Sequence, residues 1–459
     1  MAMAVGLGGF AVEKAAAQNA GTPPTWAAPF QRGLVGAHPF GISAGDVDAD
    51  GFPEVAVVES MIDIVTNIDR VSGPAVINIF RNKTTWNPPD AGFEQIADWQ
   101  LELPEPLIPR YVELIDVDNE GHADVVVTVG EPENNNLFGY NCGVYVFRFN
   151  EGAGQFFDPE YYPSSIPLGR HRVADMNGDQ LLDIVCAVDF HANGRAFDNT
   201  VRVYYQDCAH PGLFLPEQMQ AVLNETGATV PCAVGDFHRQ TGVTGGINDV
   251  VTWDMQLLSN NGNNPACQNA AYTGHTTAYC TDPWDTYDMV AAKLRLITLI
   301  GGTRFDDVAT VSWNQEHVRI FKSQGGTTFT HTCTPGVDLY AIDPTFSICN
   351  SPRTAPFPLV IPSGISAGLL NAGPRMDLAV TSCDGAVAIL LGNGNGTYVF
   401  DNGNPAYFVR VDPQPPGPDF IENHQVLIVD LNLDGKGDLV TSNHSAFANS
   451  ISVVLNTTP

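Results

Sequence analysis

A nine-residue acidic segment recurs four times along this chain and constrains its fold more than any other feature. The copies are Asp46-Val-Asp48-Ala-Asp50-Gly51-Phe52-Pro-Glu54, Asp116-Val-Asp118-Asn-Glu120-Gly121-His122-Ala-Asp124, Asp175-Met-Asn177-Gly-Asp179-Gln-Leu181-Leu-Asp183 and Asp430-Leu-Asn432-Leu-Asp434-Gly435-Lys436-Gly-Asp438. Side-chain oxygens at positions 1, 3, 5 and 9 can converge on one hard cation, and the position-7 carbonyls of Phe52, His122, Leu181 and Lys436 add a ligand. An all-oxygen set of loose geometry suits Ca²⁺. Four structural Ca²⁺ sites are therefore expected. An EF-hand would need a bidentate Glu at position 12, where Val57, Val127, Cys186 and Thr441 stand.

The flanks predict strands. Tyr111 to Ile115 and Val426 to Val429 precede loops, while Val55 to Val58, Val125 to Val129 and Ile184 to Val188 follow them. Short Val- and Ile-rich runs bounded by Gly, Asp and Asn read as buried strands. Three further units keep the strands and lose the ligand set. They start at Asp236, Leu299 and Leu369 and lead into Asp249, Asp307 and Asp377. The seven starts (46, 116, 175, 236, 299, 369 and 430) lie 59 to 70 residues apart.

This pattern resembles the FG-GAP/VCBS repeats of integrin α-subunits and many secreted proteins, over residues 25 to 459. Gly152 to Phe156 and Gly394 to Tyr398 resemble that family's glycine-aromatic turn between blades. The resemblance and the period imply an all-β fold, a seven-bladed β-propeller of four-stranded antiparallel blades with Ca²⁺-binding loops. Residues 25–459 are expected to form this single domain and residues 1–24 a tail or remnant of a targeting segment. The last unit lacks an outer strand, and Thr25 to Phe30 is predicted to supply it, removing an open edge.

A net charge of −30, from 51 acids against 21 bases, argues against nucleic acid or anionic membrane as partners. No apolar run reaches the ~18 residues of a membrane span. Of nine cysteines, Cys267 with Cys280, Cys333 with Cys349 and Cys208 with Cys232 are spaced to staple loops. Cys142, Cys186 and Cys383 read as buried thiols. Sequons stand at Asn82, Asn224, Asn395, Asn443 and Asn456. Millimolar Ca²⁺ outside cells suits such loops, so secretion is expected, with a periplasmic or cell-surface place as variants.

No His-Glu-x-x-His segment or phosphate-cradling loop is present in the chain. The first expectation is an adhesion or interaction module, binding a protein or glycan through the face opposite the metal loops. Arg110, His171, Arg172 and His424, with His38 and Arg295, precede loops and are the candidates for that face. Loop aromatics Trp86, Trp99, Tyr272, Trp284 and Tyr287 could stack on sugars. The alternative is a carbohydrate-active enzyme, a polysaccharide lyase or dehydratase, with His171 between Arg170 and Arg172 as base.

Overall fold

The structure is a computed structural model. It describes residues 23–34, 38–60, 74–82, 93, 97–103, 107–130, 142–166, 168–188, 200–221, 232–238, 248–252, 256–260, 272–275, 286–295, 305–312, 317–323, 325, 329–330, 337–338, 362–371, 373–382, 385–400, 405–411, 421–445 and 449–459.

After β1 (Phe30–Gly33), seven antiparallel sheets follow in chain order. Blade 1 holds β2 (His38–Gly45), β3 (Glu54–Ser60), β4 (Val76–Phe80) and β5 (Trp99–Glu102). Blade 2 holds β6 (Ile108–Ile115), β7 (Asp124–Gly130), β8 (Gly143–Phe147) and, after the small hairpin β9 (Phe149–Asn150) and β10 (Gln155–Phe156), β11 (Glu160–Pro163). Blade 3 holds β12 (Leu168–Ala174), β13 (Asp183–Val188), β14 (Thr200–Tyr204) and β15 (Gln218–Ala221). Blade 4 holds β16 (Cys232–Gly235), β17 (Asp249–Thr252), β18 (Leu257–Asn260) and β19 (Tyr272–His275). Blade 5 holds β20 (Thr286–Ala292), β21 (Asp307–Ser312), β22 (His317–Ser323), β23 (Phe329–Thr330) and β24 (Val337–Asp338). Blade 6 holds β25 (Pro362–Gly368), β26 (Asp377–Ser382), β27 (Ala386–Gly392), β28 (Tyr398–Val399) and β29 (Phe408–Arg410). Blade 7 holds β30 (Ile421–Val429), β31 (Asp438–Ser445) and β32 (Ser450–Val454), and β1 pairs with β32 as its outer strand.

The first strand of each blade lies against the first strands of its two neighbours, so these seven inner strands close a ring. The chain is a seven-bladed β-propeller. No helix among the described residues is long and apolar enough to cross a membrane.

The second strands explain why apolar residues run together rather than alternate. Side chains in a strand point to opposite faces in turn. Here both faces are covered, one by each neighbouring blade. Ala56 and Val58 pack into the seam with blade 2, whereas Val55 and Val57 pack into the seam with blade 7. Val125 and Val127 face blade 1 while Val126 faces blade 3. Seven such apolar clusters fill the seven seams.

The inner strands have a sheet partner on one edge only, which leaves main-chain N–H groups to be satisfied along the channel. Side chains of neighbouring blades supply the acceptors. Ser43 Oγ accepts from Leu114 N (2.9 Å), Gln425 Oε1 from Ile42 N (2.8 Å), Asp288 Oδ2 from Ile365 N (3.0 Å) and Ser366 Oγ from Ile428 N (3.1 Å). Polar residues in an inner strand therefore have a structural task before any ligand is considered.

Cysteine pairing departs from expectation at one place. Cys232 is a buried thiol in β16, whereas Cys208 is disulfide-bonded, so these two do not pair. Cys232 starts a strand against the channel rather than flanking a loop. Cys186 is a buried thiol. Cys267, Cys280, Cys333, Cys349 and Cys383 lie outside the described residues.

Candidate functional site

Each acidic loop joins an inner strand to the second strand of its blade, and all four adopt one backbone. Position 4 has positive φ in every copy: Ala49 at 58°, Asn119 at 60°, Gly178 at 82° and Leu433 at 57°. So does position 6, with Gly51 at 89°, Gly121 at 98°, Gln180 at 72° and Gly435 at 84°. The position-1 carboxylate folds back onto the turn this creates. Asp116 accepts from Glu120 N (3.0 Å) and Gly121 N (2.7 Å), and Asp430 from Asp434 N (3.0 Å) and Gly435 N (2.7 Å). Asp46 accepts from Gly51 N (2.9 Å) and Asp175 from Gln180 N (2.9 Å).

Leu433 is exposed, so no packing rewards its left-handed conformation. A non-glycine residue there costs about 1–2 kcal/mol, against about 0.5–1 kcal/mol for the extra chain entropy of glycine. Leu433→Gly is expected to raise stability by about 0.5–1 kcal/mol, read from the midpoint of urea unfolding.

The first two loops bring their acids together. Asp46, Asp48 and Asp50 present oxygens within 4.8 Å of one another, and so do Asp116, Asp118 and Asp124. Asp46 Oδ1, Asp48 Oδ1 and Asp118 Oδ1 are buried without a hydrogen-bond donor among the described residues. Burial, then Asp50, pushes the Asp48 carboxyl up, and burial, then Asp116, does the same to Asp118. A divalent cation would satisfy those oxygens and cancel the repulsion, so both clusters fit one. In the third loop Asn177 Nδ2 donates to Asp179 Oδ2 at 3.0 Å. Among the described residues neither that loop nor the seventh shows such a cluster of three acids, because an Asn holds position 3. Basic side chains attend three loops: Arg81 beside Asp48, Arg148 4.0 Å from Asp118 and Lys436 3.7 Å from Asp434.

Position 9 has a second task. Its carboxylate ties the loop to the end of the third strand, through two main-chain amides. Glu54 accepts from Val47 N (2.7 Å) and Asn82 N (3.1 Å), and Asp124 from Val117 N (3.0 Å) and Phe149 N (2.8 Å). Asp183 accepts from Met176 N (2.8 Å) and Gln206 N (2.9 Å), and Asp438 from Leu431 N (3.0 Å) and Asn456 N (2.7 Å). The acid-poor blades keep this clamp. Asp249 takes Phe237 N (3.1 Å) and Asn260 N (2.7 Å), Asp377 takes Leu370 N (3.1 Å) and Gly392 N (2.8 Å), and Asp307 takes Ser323 N (2.9 Å). Burial is the first cause that lifts Glu54 to about 8 and Asp124, Asp183, Asp377 and Asp438 to about 7.

The fifth loop begins elsewhere than the sequence suggested. Ala292 pairs with Asp307 as Ala174 pairs with Asp183, so its position 1 is Lys293 and not Leu299. A longer loop hid the register. Arg295, expected on the opposite face, is the position-3 residue of this loop. Its Nε and Nη2 donate to Asp307 Oδ2 (2.8 Å) and Oδ1 (2.6 Å). Position 3 of blade 4 is His238, whose Nδ1 lies 2.9 Å from both oxygens of Asp249.

At the other end of the inner strands, six of the seven carry a register shift at the same height. Bulges re-aim side chains, and here they fall at Phe40-Gly41, Arg110, Gly169-Arg170, Tyr287, Ser363 and His424. Arg110 lies half-buried with its guanidinium 5.9 Å from the Phe40 ring centroid. Arg170 is buried 4.7 Å from the Tyr111 ring and pairs with Asp288, past the four-residue inner strand of blade 4. Arg172 is half-buried and donates from Nη1 to the His171 carbonyl at 3.1 Å.

His171 is buried, with Nδ1 3.2 Å from Thr128 Oγ1 and Nε2 3.8 Å from Glu113 Oε2. Thr128 gives its proton to the Gly169 carbonyl (2.7 Å). His171 must therefore donate from Nδ1, leaving Nε2 as the acceptor, turned toward Glu113. Burial, then Arg172 and Arg170, pushes His171 down to about 3. The side chains of His38, Tyr287 and His424 lie outside the described residues, as do Trp86 and Trp284. Trp99 is no free platform: it stacks edge-on against Phe149 and Phe156 and donates to the Gly154 carbonyl at 3.0 Å. Tyr272 is half-buried against the blade 3–4 core.

Residues 116–186 match a family model described as an FG-GAP-like repeat. The match starts on position 1 of the second loop and ends just past position 9 of the third. The chain carries an FG-GAP-like repeat. No curated protein matches it. Among solved structures, BBS1N in complex with ARL6DN, soaked with mercury, is similar with a TM-score of 0.49 and 11% identity, covering 95% of this chain and 99% of that one. The exotype rhamnogalacturonan lyase YesX gives a TM-score of 0.49 at 13% identity, covering 94% of this chain and 76% of that one.

The blades are stitched together by residues the sequence reading missed. In five blades the residue ending the third strand sends a side chain to the main-chain oxygen at position 2 of the preceding blade's loop. Asn82 Nδ2 donates to Leu431 O (2.8 Å), Gln206 Nε2 to Val117 O (2.7 Å) and Asn456 Nδ2 to Leu370 O (2.6 Å). Asn260 reaches Met176 O and Ser323 reaches Phe237 O in the same way. At the seam of blades 1 and 2, His122 Nδ1 bonds Val47 O instead (2.9 Å).

Of the sequon asparagines, Asn82, Asn443 and Asn456 are buried and hydrogen-bonded. The glycine-aromatic turns are corrected. Gly152 to Phe156 and Gly394 to Tyr398 close hairpins within blades 2 and 6, after the third strand, rather than joining blades.

Proposed function

We propose that this protein is a secreted, calcium-stabilised propeller that binds a protein or glycan through the channel face opposite its metal loops. The observation that carries the reading is the division of the inner strands. Their loop ends are committed to clamps, acidic loops and seams, while their other ends carry aligned bulges that present Arg110, Arg172 and the Phe40 and Tyr111 rings. Structural Ca²⁺ would be held by Asp46, Asp48, Asp50, Phe52 and Glu54 in blade 1, and by Asp116, Asp118, Glu120, His122 and Asp124 in blade 2. Asp175, Asn177, Asp179, Leu181 and Asp183 would serve blade 3, and Asp430, Asn432, Asp434, Lys436 and Asp438 blade 7. When bound, the ion supplies charge neutralisation and fixes the turn.

The enzymatic alternative has less support. A lyase base works best near neutral pKa, and His171 is buried, held far below it and bonded to Thr128. A glycan array and a displayed extracellular-protein library, probed with the calcium-loaded chain, test the proposal. Ligands found should lose at least about tenfold in affinity to Arg110→Ala with Arg172→Ala, about 1.4 kcal/mol, and keep their affinity for Leu433→Gly. Binding indifferent to the two arginines would sink it, and turnover of a uronic-acid polymer that survives their loss would point to chemistry elsewhere.

A further inference from the structure

The ninth-position acid is buried in all seven blades, and a buried carboxylate needs a compensating charge or proton. In blades 1, 2, 3 and 7 the loop offers oxygens for a metal. In the other three it offers something else. Arg295 at position 3 of blade 5 grips Asp307 with two bonds, at 2.8 and 2.6 Å, and also donates to the Ser323 carbonyl. Lys293 holds position 1, where its charge acts on Asp236 and Asp306. His238 at position 3 of blade 4 contacts both oxygens of Asp249. In blade 6, Leu369, Asn371 and Gly373 stand at positions 1, 3 and 5, and the charge of Arg375 at position 7 acts on Asp377.

We infer that blades 4 and 5 carry covalently attached basic side chains in the place of the metal, and that blade 6, whose loop keeps no acid but Asp377, does without one, so that metal dependence is confined to one continuous arc, blades 7, 1, 2 and 3. The arc is continuous because inner strand β30 lies against β2 and because β1 pairs with β32 in blade 7. It includes the blade that β1 completes. Loops within the arc also hold their neighbours: Ala123 N donates to Asp46 O and Asn82 to Leu431 O, both at 2.8 Å. Losing the ion from one loop therefore loosens the next. On the far side, Asp306 N bonds Asp236 O at 2.8 Å between two loops that need no ion. Withdrawal of calcium would soften half of the ring and leave the other half closed, rather than melt all blades alike.

This inference rests on the reading of the acidic loops as calcium sites, and the test separates the two. Native mass spectrometry of the calcium-loaded chain should show four bound ions. Hydrogen–deuterium exchange, with calcium against EGTA, should then rise about tenfold or more in peptides covering 46–54, 116–124, 175–183 and 430–438. Peptides covering 236–249, 293–307 and 369–377 should stay unchanged. No bound calcium overturns both readings. Four ions with an equal rise in all seven loops overturns only the arc. The variant Arg295→Met should lower the melting temperature equally with calcium and with EGTA. An unchanged melting temperature in that variant would show that the guanidinium does not stand in for the ion.

Discussion

Asp377→Ala should destabilise the protein by about 2–6 kcal/mol, and by the same amount in calcium and in EGTA. The estimate follows from the two amides it would strand. Leu370 N and Gly392 N donate to Asp377 at 3.1 and 2.8 Å in a fully buried site, and each buried donor left without an acceptor costs about 1–3 kcal/mol. Blade 6 has no other acid in its loop, so calcium has no bearing on the loss. Asp438→Ala provides the contrast. It strands Leu431 N and Asn456 N in the same geometry and also removes a proposed ligand, so its cost should be larger in calcium than in EGTA. Urea unfolding of both variants in both buffers decides the matter. If the cost of Asp377→Ala tracks calcium, or falls under about 1 kcal/mol, the clamp is not what keeps an acid at position 9.

The clamp shows what the sequence exposed and what it concealed. Asp46 to Glu54 and its three companions announced a strand, a turn and a strand because acid spacing and Val-rich flanks have short range. The seven-blade count followed from their period. The purpose of the ninth position was hidden because a metal ligand and a main-chain acceptor are the same residue type. Its persistence at Asp249, Asp307 and Asp377, in loops that lack the full acid set, was the available clue. Arg295 was misplaced because a lengthened loop breaks the nine-residue frame, and only the pairing of Ala292 with Asp307 restores it. The bulges left a partial trace in Pro39, Pro109 and Pro362. Each opens a register shift and lacks the N–H that a regular ladder requires. The seam residues Asn82, Gln206, Asn260, Ser323 and Asn456 left a fainter one, a polar residue at the end of five of the apolar third strands. Their partners are carbonyls of another blade, which no local pattern reveals.

Calcium removal should have the largest effect of all. One site held at a hundred times its Kd adds about 2.7 kcal/mol, so four independent sites would add roughly 11 kcal/mol. Unfolding entropy near 2.1 cal/mol/K per residue makes one degree worth about 1 kcal/mol for a chain of 459 residues. EGTA is therefore expected to lower the melting temperature by about 10 °C, followed by far-UV circular dichroism or calorimetry. Magnesium should restore little of it, because a loop of many oxygens at loose spacing does not offer the tight octahedron that ion demands. The sites should also rank. Blades 1 and 2 contribute four acidic side chains each, blades 3 and 7 three plus an Asn. Calcium titration should thus fill two sites before the other two, with Asp48→Asn moving one of the early pair into the later class. A melt that EGTA leaves unchanged would mean that the acids converge for some reason other than calcium. The buried, donorless oxygens of Asp46, Asp48 and Asp118 would then need a different partner.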